Sequence, residues 1–316
     1  MPALCATSRY LPPRVVHNRD LTQFPEELRE LIAAKAGIHT RHIADGECTS
    51  DLGAKAVKRL LEKSGIPPGS VNALICATSS PDRMQPATAT RIQHLCGLED
   101  AFAFDVNSVC SGGVYALRLA CGLVRDSLHN VIVVAAEAYS KILNPDDIST
   151  CPYFGDGAAA CLVSDRGLYE FVDFELHSDG SACDVIQVPG GGTMLPSHCV
   201  TDPRDHYFRM VGKKVFEFAT RRGAELVASL SERNSVVPEG IVLHQANLKI
   251  IREIANRTRL PFERFFVNLD RYANTAGASV LIALDELLET RADLDSIMLC
   301  AFGGGLSWGG TLLRKS

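Results

Sequence analysis

The 316-residue chain lacks the basic charge of nucleic-acid-binding and membrane-surface proteins and the N-terminal signal of secreted proteins. It has one tryptophan, and its 32 Lys and Arg are outnumbered by 37 Asp and Glu. A net charge of −5 gives no bulk attraction to nucleic acid or to an anionic membrane surface. The N-terminal segment has neither the basic region nor the apolar run of a secretory signal, so we expect a cytoplasmic protein.

The chain has 11 cysteines, but their spacing matches neither a disulfide framework nor a metal site. The number is odd, no two cysteines are separated by two residues, and none clusters with histidine. We therefore expect free thiols in a reducing compartment and no metal site. No segment indicates a redox cofactor.

Short apolar segments alternate with helical patterns along the whole chain, which predicts an α/β fold with a buried, largely parallel sheet. Four segments of the first half have counterparts in the second: NALICATSS with GIVLHQANL, VCSGGVYAL with ANTAGASVL, NVIVVAAEA with DSIMLCAFG, and FGDGAAACLV with FGGGLSWGGTLL. We interpret this echo as a duplication, with pseudo-two-fold-related halves at 1–168 and 169–316 and sheets stacked between helix layers.

The stretch FDVNSVCSGGVYALRLACGLV organises the first half. Ala103–Val106 predicts the end of a buried strand, and Gly112–Val124 predicts a helix that is apolar all round. Cys110 stands at the start of this helix, where the helix dipole and unpaired amides favour the thiolate. Cys110 is therefore a candidate nucleophile, although a small buried apolar cysteine is the alternative.

Three other positions at predicted strand or helix ends could serve the same site. His244 follows an apolar strand, Asn274 begins a helix, and Gly303–Gly305 exposes backbone amides. Each also has a structural interpretation, as a core histidine, a helix cap or a tight turn. Together with Cys110 they predict acyl transfer from a thioester, with hydrogen-bond donors for the oxyanion. In contrast, we expect Asp156 of the FGDG segment to bind nearby amides.

These residues lie in motifs that carry a resemblance over essentially the whole chain. The motifs are DVNSVCSGG, FGDGAAA, HQANLKII, NLDRYANTAGAS and AFGGGLSWG, with YLPPRVVHNRDL and GIHTRHIA near the start. The sequence resembles β-ketoacyl-acyl carrier protein synthase III of the thiolase superfamily. The resemblance implies a homodimer of five-layer αβαβα subunits that uses no cofactor beyond its thioester substrates.

The resemblance also implies a role for each residue of the site. Cys110 accepts the acyl group, and His244 and Asn274 stabilise the thioester oxyanion while malonyl-acyl carrier protein is decarboxylated and condensed. The amides of Cys110 and Gly304 form the oxyanion hole for acylation. The residues expected to contact substrate or carrier protein are Lys35, Phe154, Lys213, Lys214, Asn247, Lys249 and Arg252.

Several positions depart from the pattern of the family. Leu31 and Ile148 stand where the family has a Trp and an Arg that clamp the adenine of coenzyme A. Lys35 and Ala36 replace an Arg-Thr pair, and Gln85 replaces a Phe that closes the partner subunit's acyl pocket. Because Leu and Ile cannot stack on a base as Trp and Arg do, we expect a primer other than acetyl-CoA, or one delivered on a carrier protein.

Two basic segments could receive an acidic carrier protein. Arg204–Arg222 has six basic residues against two acids, and Lys249–Arg264 has five against two. Solvated helix faces are the alternative explanation.

Three other functions stay open at the level of sequence. An enzyme of the same fold could move the acyl group to an oxygen, nitrogen or sulfur nucleophile without forming a carbon–carbon bond. A hydrolase of the papain type has the same residue types but lacks its local signatures. A non-catalytic partner subunit would not need an intact Cys, His and Asn.

Overall fold

A computed structural model describes residues 1–316 in full. Its helices are α1 (Glu26–Ala36), α2 (Thr49–Ser64), α3 (Thr88–Leu95), α4 (Gly112–Arg125), α5 (Gly212–Arg233), α6 (Leu248–Thr258), α7 (Leu269–Tyr272) and α8 (Ser279–Thr290). Its strands are β1 (Ala3–Tyr10), β2 (Arg14–His17), β3 (Thr40–Ile43), β4 (Ala73–Ala77), β5 (Phe102–Val106), β6 (Val131–Glu137), β7 (Gly157–Ser164), β8 (Tyr169–Ser178), β9 (Ile186–Gln187), β10 (Arg209–Met210), β11 (Gly240–Leu243), β12 (Phe265–Phe266), β13 (Ser296–Gly303) and β14 (Ser307–Lys315).

Ten of the strands form one sheet in the order β12-β11-β13-β14-β8-β1-β7-β6-β4-β5. The sheet has two arms that meet at the central β8–β1 pair. The first arm runs outward as β1, β7, β6, β4 and β5, and the second runs outward as β8, β14, β13, β11 and β12. The two arms therefore have the same order of corresponding strands. A short ladder joins the arms, in which Ala3 pairs with Glu170 and Leu4 with Tyr169. This mirrored order is what the internal echo predicts.

The sheet is mixed, so the expectation of a largely parallel sheet is wrong. Each arm has two parallel pairs at its outer end and two antiparallel pairs near the centre. The reason is local in the second arm, where Gly304–Leu306 is the whole connection between β13 and β14. A tight turn of this length can join only antiparallel strands.

Three apolar cores separate five layers. The central core lies between the arms and contains α4 and α8. A second core lies between the first arm and α2 and α3, and a third lies between the other arm and α5 and α6. Along β4 the side chains alternate, because Leu74 and Cys76 face the α2 side while Ile75 and Ala77 face the centre. The fold is therefore αβαβα.

Helix ends follow local chemistry, with one correction. α1 ends at Gly37, which takes the left-handed conformation with φ +77° as expected for a stop. The sequence favours Ser50 as the cap of α2, because Ser is a preferred N-cap residue. In the structure Cys48 is the N-cap instead, and Asp51 accepts from its backbone N–H. Ser50 lies inside the first turn, where its own N–H donates to Asp82.

Two elements near the nucleophile are less buried than the sequence indicates. β5 is the outermost strand of its arm and Phe102 is 50% exposed, so Ala103–Val106 is not a buried strand. α4 is not buried all round, since Leu119 is 45% exposed. Continuous apolar runs predict burial, but they do not tell whether a strand has one neighbour or two.

The expected division after residue 168 falls directly before β8, and the division itself stays a prediction. None of the helices is long and apolar enough to cross a membrane.

Candidate active site

Cys110 lies on a single 3₁₀ turn, Val109–Ser111, that leads into α4. Val109, the first residue of this turn, takes φ +47°, an uncommon conformation for a β-branched residue. The thiol is 7% exposed and belongs to a small apolar cluster with Tyr139, Phe154 and Phe208. The sequence therefore places the cysteine correctly at the start of the helix.

The protonation state of Cys110 differs from our expectation. Burial raises the pKa of the thiol, and the negative charge of Glu137 raises it further. The helix N-terminus acts in the opposite direction, but its partial charge of about half a unit does not offset desolvation. The resting group is therefore a thiol, and the prediction of a thiolate is wrong.

His244 directly follows β11 and is 3% exposed. Burial lowers the pKa of its imidazole to about 3, so the ring is neutral at physiological pH. Its Nδ1 lies 2.6 Å from the hydroxyl of Ser279, and that hydroxyl also accepts from the Gln245 N–H. A hydrogen bond donated by Ser279 to Nδ1 corresponds to the tautomer that carries the ring proton on Nε2.

Asn274 is held in place by the other half of the chain. Its N–H donates to the Tyr153 carbonyl, and its own carbonyl accepts from the Gly155 N–H. These two bonds form an isolated parallel bridge between Asn274 and Phe154. Its side-chain Oδ1 accepts from the Ala276 N–H at 2.8 Å. The carboxamide NH₂ group is therefore free to donate. Asn274 is thus more than a helix cap.

Cys110, His244 and Asn274 line one cavity of about 410 Å³. Most of its lining is apolar, and His244 meets the edge of Phe302 at a ring distance of 5.6 Å. A thiol, a neutral imidazole and a carboxamide thus share one mostly apolar cavity. Hydrogen bonds to a developing oxyanion are strong in such a space.

Four of the expected substrate contacts also line this cavity: Lys35, Phe154, Asn247 and Lys249. Phe154 forms part of the wall beside Cys110, where it stacks on Tyr139 with ring centroids 5.0 Å apart. Asn247 caps α6, because its Oδ1 accepts from the Lys249 N–H. Its NH₂ group therefore stays available to a ligand.

The other three expected contacts lie outside the lining. Lys213 and Lys214 are exposed in the first turn of α5, next to Gly212, which does line the cavity. Lys214 borders a separate cavity. Arg252 is exposed on α6, with its guanidinium 5.0 Å from the centre of the Phe262 ring.

The glycine turn after β13 approaches the nucleophile closely. A Cβ at Gly303 would lie 2.7 Å from the Cys110 nitrogen, so no other residue fits there without movement. Gly304 follows in the same turn and is buried. The oxyanion hole of the Cys110 and Gly304 amides stays a proposal.

The FGDG segment has the structural role that we expected. Asp156 accepts from the Ala44 N–H at 2.7 Å and from the backbone and side chain of Ser140. Through Gly155 the same segment fixes the backbone of Asn274.

Sequence reasoning missed several residues of the site. Ser279 contacts His244, and Phe208 and Met210 line the cavity at the short strand β10, where the sequence has no periodic pattern. Glu137 is buried beneath the site, and its only signal in the sequence is an acid at the end of the apolar run VIVVAAE. No group of three or more His, Cys, Asp or Glu side chains is placed to hold a metal ion.

The αβαβα fold with its mirrored strand order and the cavity with Cys, His and Asn define a thiolase-fold protein. Family models for 3-oxoacyl-[acyl-carrier-protein] synthase III match residues 104–180, and models for its C-terminal part match residues 238–315. The first range contains Cys110, and the second contains His244 and Asn274.

Whole-chain comparisons agree. The chain is 38% identical to β-ketoacyl-[acyl-carrier-protein] synthase III of Chlamydia caviae, covering 99% of this chain and 96% of that one. The enzyme of Oleidesulfovibrio alaskensis is 39% identical, with 96% of each chain covered. The crystal structure of the Aquifex aeolicus 3-oxoacyl-[acyl-carrier-protein] synthase III has a TM-score of 0.90 at 31% identity, covering 99% of this chain and 100% of that one. The chain belongs to the 3-oxoacyl-[acyl-carrier-protein] synthase III family.

The neutral state of His244 leads to a direct prediction. We expect the Cε1–H resonance of His244 to stay at the neutral position from pH 8 down to about pH 5, because the lowered pKa lies near 3. NMR titration of the protein measures this, with His244→Ala to assign the signal. A shift of this resonance toward the imidazolium position between pH 8 and pH 5 would contradict the prediction.

Proposed function

We propose that the protein is a condensing enzyme that loads an acyl group on Cys110 and joins it to malonyl-acyl carrier protein with loss of carbon dioxide. The observation that carries this proposal is the arrangement of the neutral His244 imidazole and the Asn274 carboxamide in one mostly apolar cavity with the thiol. In the proposed reaction His244 donates through Nε2–H, the tautomer in which Ser279 donates to Nδ1.

In the first step the Cys110 sulfur attacks the carbonyl carbon of an acyl thioester. The new sulfur–carbon bond forms, the bond to the donor sulfur breaks, and the proton of Cys110 leaves with the departing thiol. Backbone amides of Cys110 and Gly304 would hold the tetrahedral oxyanion, for which the close approach of Gly303 to Cys110 gives support.

In the second step the malonyl thioester loses carbon dioxide, and its electrons become an enolate. His244 and Asn274 donate to the enolate oxygen. Being neutral, they gain most when negative charge develops, and they do not form an ion pair with the malonyl carboxylate in the ground state. The enolate carbon attacks the acyl group on Cys110, and the thiolate leaves and takes up a proton.

We propose that the primer is not simple acetyl-CoA, or that a carrier protein delivers it. Leu31 is 41% exposed on α1, and Ile148 packs its side chain against the core around α5 and α6. Neither offers a planar group for adenine. Lys35 and Lys249 at the cavity leave a site for a phosphate, which coenzyme A and a carrier-bound pantetheine arm both carry.

Intact-mass analysis after exposure to a panel of acyl thioesters tests the loading step. We expect one acyl adduct per chain, absent from Cys110→Ala, and a stronger reaction with other donors than with acetyl-CoA. A clear preference for acetyl-CoA would remove the proposal on the primer.

Carbon dioxide release from malonyl-acyl carrier protein tests the condensation step. The acyl-loaded protein should release it together with a β-ketoacyl product. Acyl transfer to an oxygen, nitrogen or sulfur nucleophile without that release would instead support the alternative of a same-fold acyltransferase.

We propose that the carrier protein docks at the basic mouth of the cavity. Lys249 and Lys35 line it, and Lys213, Lys214 and Arg252 are exposed beside it on α5 and α6. These cations suit an acidic carrier and the phosphate of its pantetheine arm.

Charge reversal tests this surface. Lys249→Glu with Arg252→Glu should raise the KM for malonyl-acyl carrier protein by about tenfold or more, since opposed charges at an interface slow association and weaken docking. The KM for malonyl-CoA in the same assay should change less. Lys58→Glu, at an exposed position on α2 far from the cavity, is the matched control. Equal effects of both variants would contradict carrier docking here.

We further propose that the protein is a cytoplasmic homodimer that pairs through the edge strand β5. Phe102 is 50% exposed on this unpaired edge, and Leu119 of α4 is 45% exposed. The 11 free cysteines suit a reducing compartment.

Light scattering coupled to size exclusion tests the dimer. Phe102→Asp should shift the protein to the monomer mass, because a buried carboxylate without a partner is costly at an interface. Leu168→Asp, at a position 56% exposed elsewhere, should leave the mass unchanged. A wild-type protein that elutes as a monomer would refute the proposal.

A further inference from the structure

Glu137 is a buried carboxylate with no exposed surface, at the end of β6. Its hydrogen-bond partners are all neutral. Oε2 accepts from the hydroxyl of Ser80 at 2.6 Å and from its N–H at 3.1 Å, and Oε1 accepts from the hydroxyl of Ser79 at 3.0 Å. Thr78 also donates to it. Burying a carboxylate without a cation is costly, so the position needs an explanation.

The same carboxylate contacts the second half of the chain. The Gly277 N–H donates to Oε1 at 3.3 Å. Gly277 lies on the 3₁₀ turn Ala276–Ala278, between Asn274 and α8. A Cβ at Gly277 would lie 2.9 Å from Oε1 and 3.0 Å from the carbonyl oxygen of Val109, the residue before the nucleophile. Gly277 is therefore enclosed between Glu137 and the Cys110 turn.

Backbone strain is concentrated at this joint. Val109 before Cys110 has φ +47°, and Ala273 and Ala276 on either side of Asn274 have φ +57° and +44°. Each such conformation is costly and persists only where surrounding contacts hold it. Glu137 at the end of β6 contacts the Asn274 turn through Gly277, and Gly277 in turn lies against Val109 of the Cys110 turn.

We propose that Glu137 and Gly277 form a matched pair in which Glu137 is a positioning residue that holds the Asn274 turn at a fixed distance from the Cys110 turn. Because the Glu137 side chain reaches as far as Gly277, position 277 has no room for a Cβ. This inference rests on the proposed function, since the distance matters for the condensation step.

A second consequence concerns charge. Burial raises the pKa of Glu137 to about 7, and its ionised form raises the pKa of Cys110. The other titratable groups near it are the thiol of Cys76 on β4 and the phenol of Tyr139, which shares the Ser79 hydroxyl. None of these is a cation that could offset the charge of the acid.

A rescue experiment tests the pair. Gly277→Ala should lower malonyl decarboxylation at least tenfold, because its Cβ displaces either the carboxylate or the Cys110 turn. Glu137→Asp in the same chain shortens the acid and makes room, so the double variant should recover to within about threefold of the wild type. Asp285→Asn is the control: this carboxylate is equally buried but is paired with Arg9. It should lower thermal stability without changing the ratio of decarboxylation to Cys110 acylation.

The charge has its own readout. Glu137→Gln keeps an oxygen that can accept from the Gly277 N–H and removes the negative charge. The pH profile of Cys110 alkylation by iodoacetamide should therefore move about half a pH unit lower, so that alkylation is roughly threefold faster at a fixed pH. Unchanged decarboxylation in Gly277→Ala, or a loss that Glu137→Asp does not relieve, would overturn the pair.

The test also separates this inference from the proposed function. If the wild-type protein releases no carbon dioxide from malonyl thioesters, the proposed function fails by itself. The rate of Cys110 alkylation and the thermal stability in Gly277→Ala, Glu137→Asp and the double variant then decide the pair. Recovery in the double variant supports it, and additive losses refute it.

Discussion

Reciprocal contacts across the joint between the two halves hold the whole site together. Asn274 belongs to the second half, yet its backbone is bonded to Tyr153 and Gly155 of the first. Cys110 belongs to the first half, yet Gly303 of the second lies against its backbone nitrogen. Neither residue is placed by its own half alone. A small slide of one arm past the other would move both, and misplacements of about 1 Å are enough to cost orders of magnitude in rate.

The same burial that fixes this geometry also decides the charges. An apolar cavity strengthens each hydrogen bond but disfavours ions, so the thiol keeps its proton and the imidazole stays neutral. In the proposed reaction, charge develops only after the donors are already in place. A helix N-terminus alone would have favoured a reactive thiolate at all times. The raised pKa keeps Cys110, the proposed nucleophile, protonated in the resting protein.

Much of this arrangement could be predicted from sequence, and the limits have physical reasons. The internal echo predicted the mirrored order of strands, and the position of His244 after an apolar strand placed it correctly, because both depend on local periodicity. The exposure of β5 and the antiparallel pairs depend on which strands become neighbours, which apolar runs do not encode. The protonation state of Cys110 depends on everything packed around it. Phe208 and Met210 come from a segment with no periodic pattern, so their place on the cavity wall had no signal.

The residues proposed for the reaction and those proposed for substrate choice lie at different depths of one cavity. At the inner end, Cys110, His244 and Asn274 are all less than one-tenth exposed and depend on contacts between the halves. At the mouth, Lys35 and Lys249 are exposed side chains on α1 and α6 that hold no other part of the site in place. Under the proposed function, substitution at the mouth should change which thioester is admitted and leave the positions of the inner donors unchanged. Leu31 and Ile148, two of the departures from the family pattern, lie outside the lining, whereas Lys35, a third, lies on it. Under the proposed function these departures bear on how the donor is delivered, and the condensation chemistry depends on the joint between the halves.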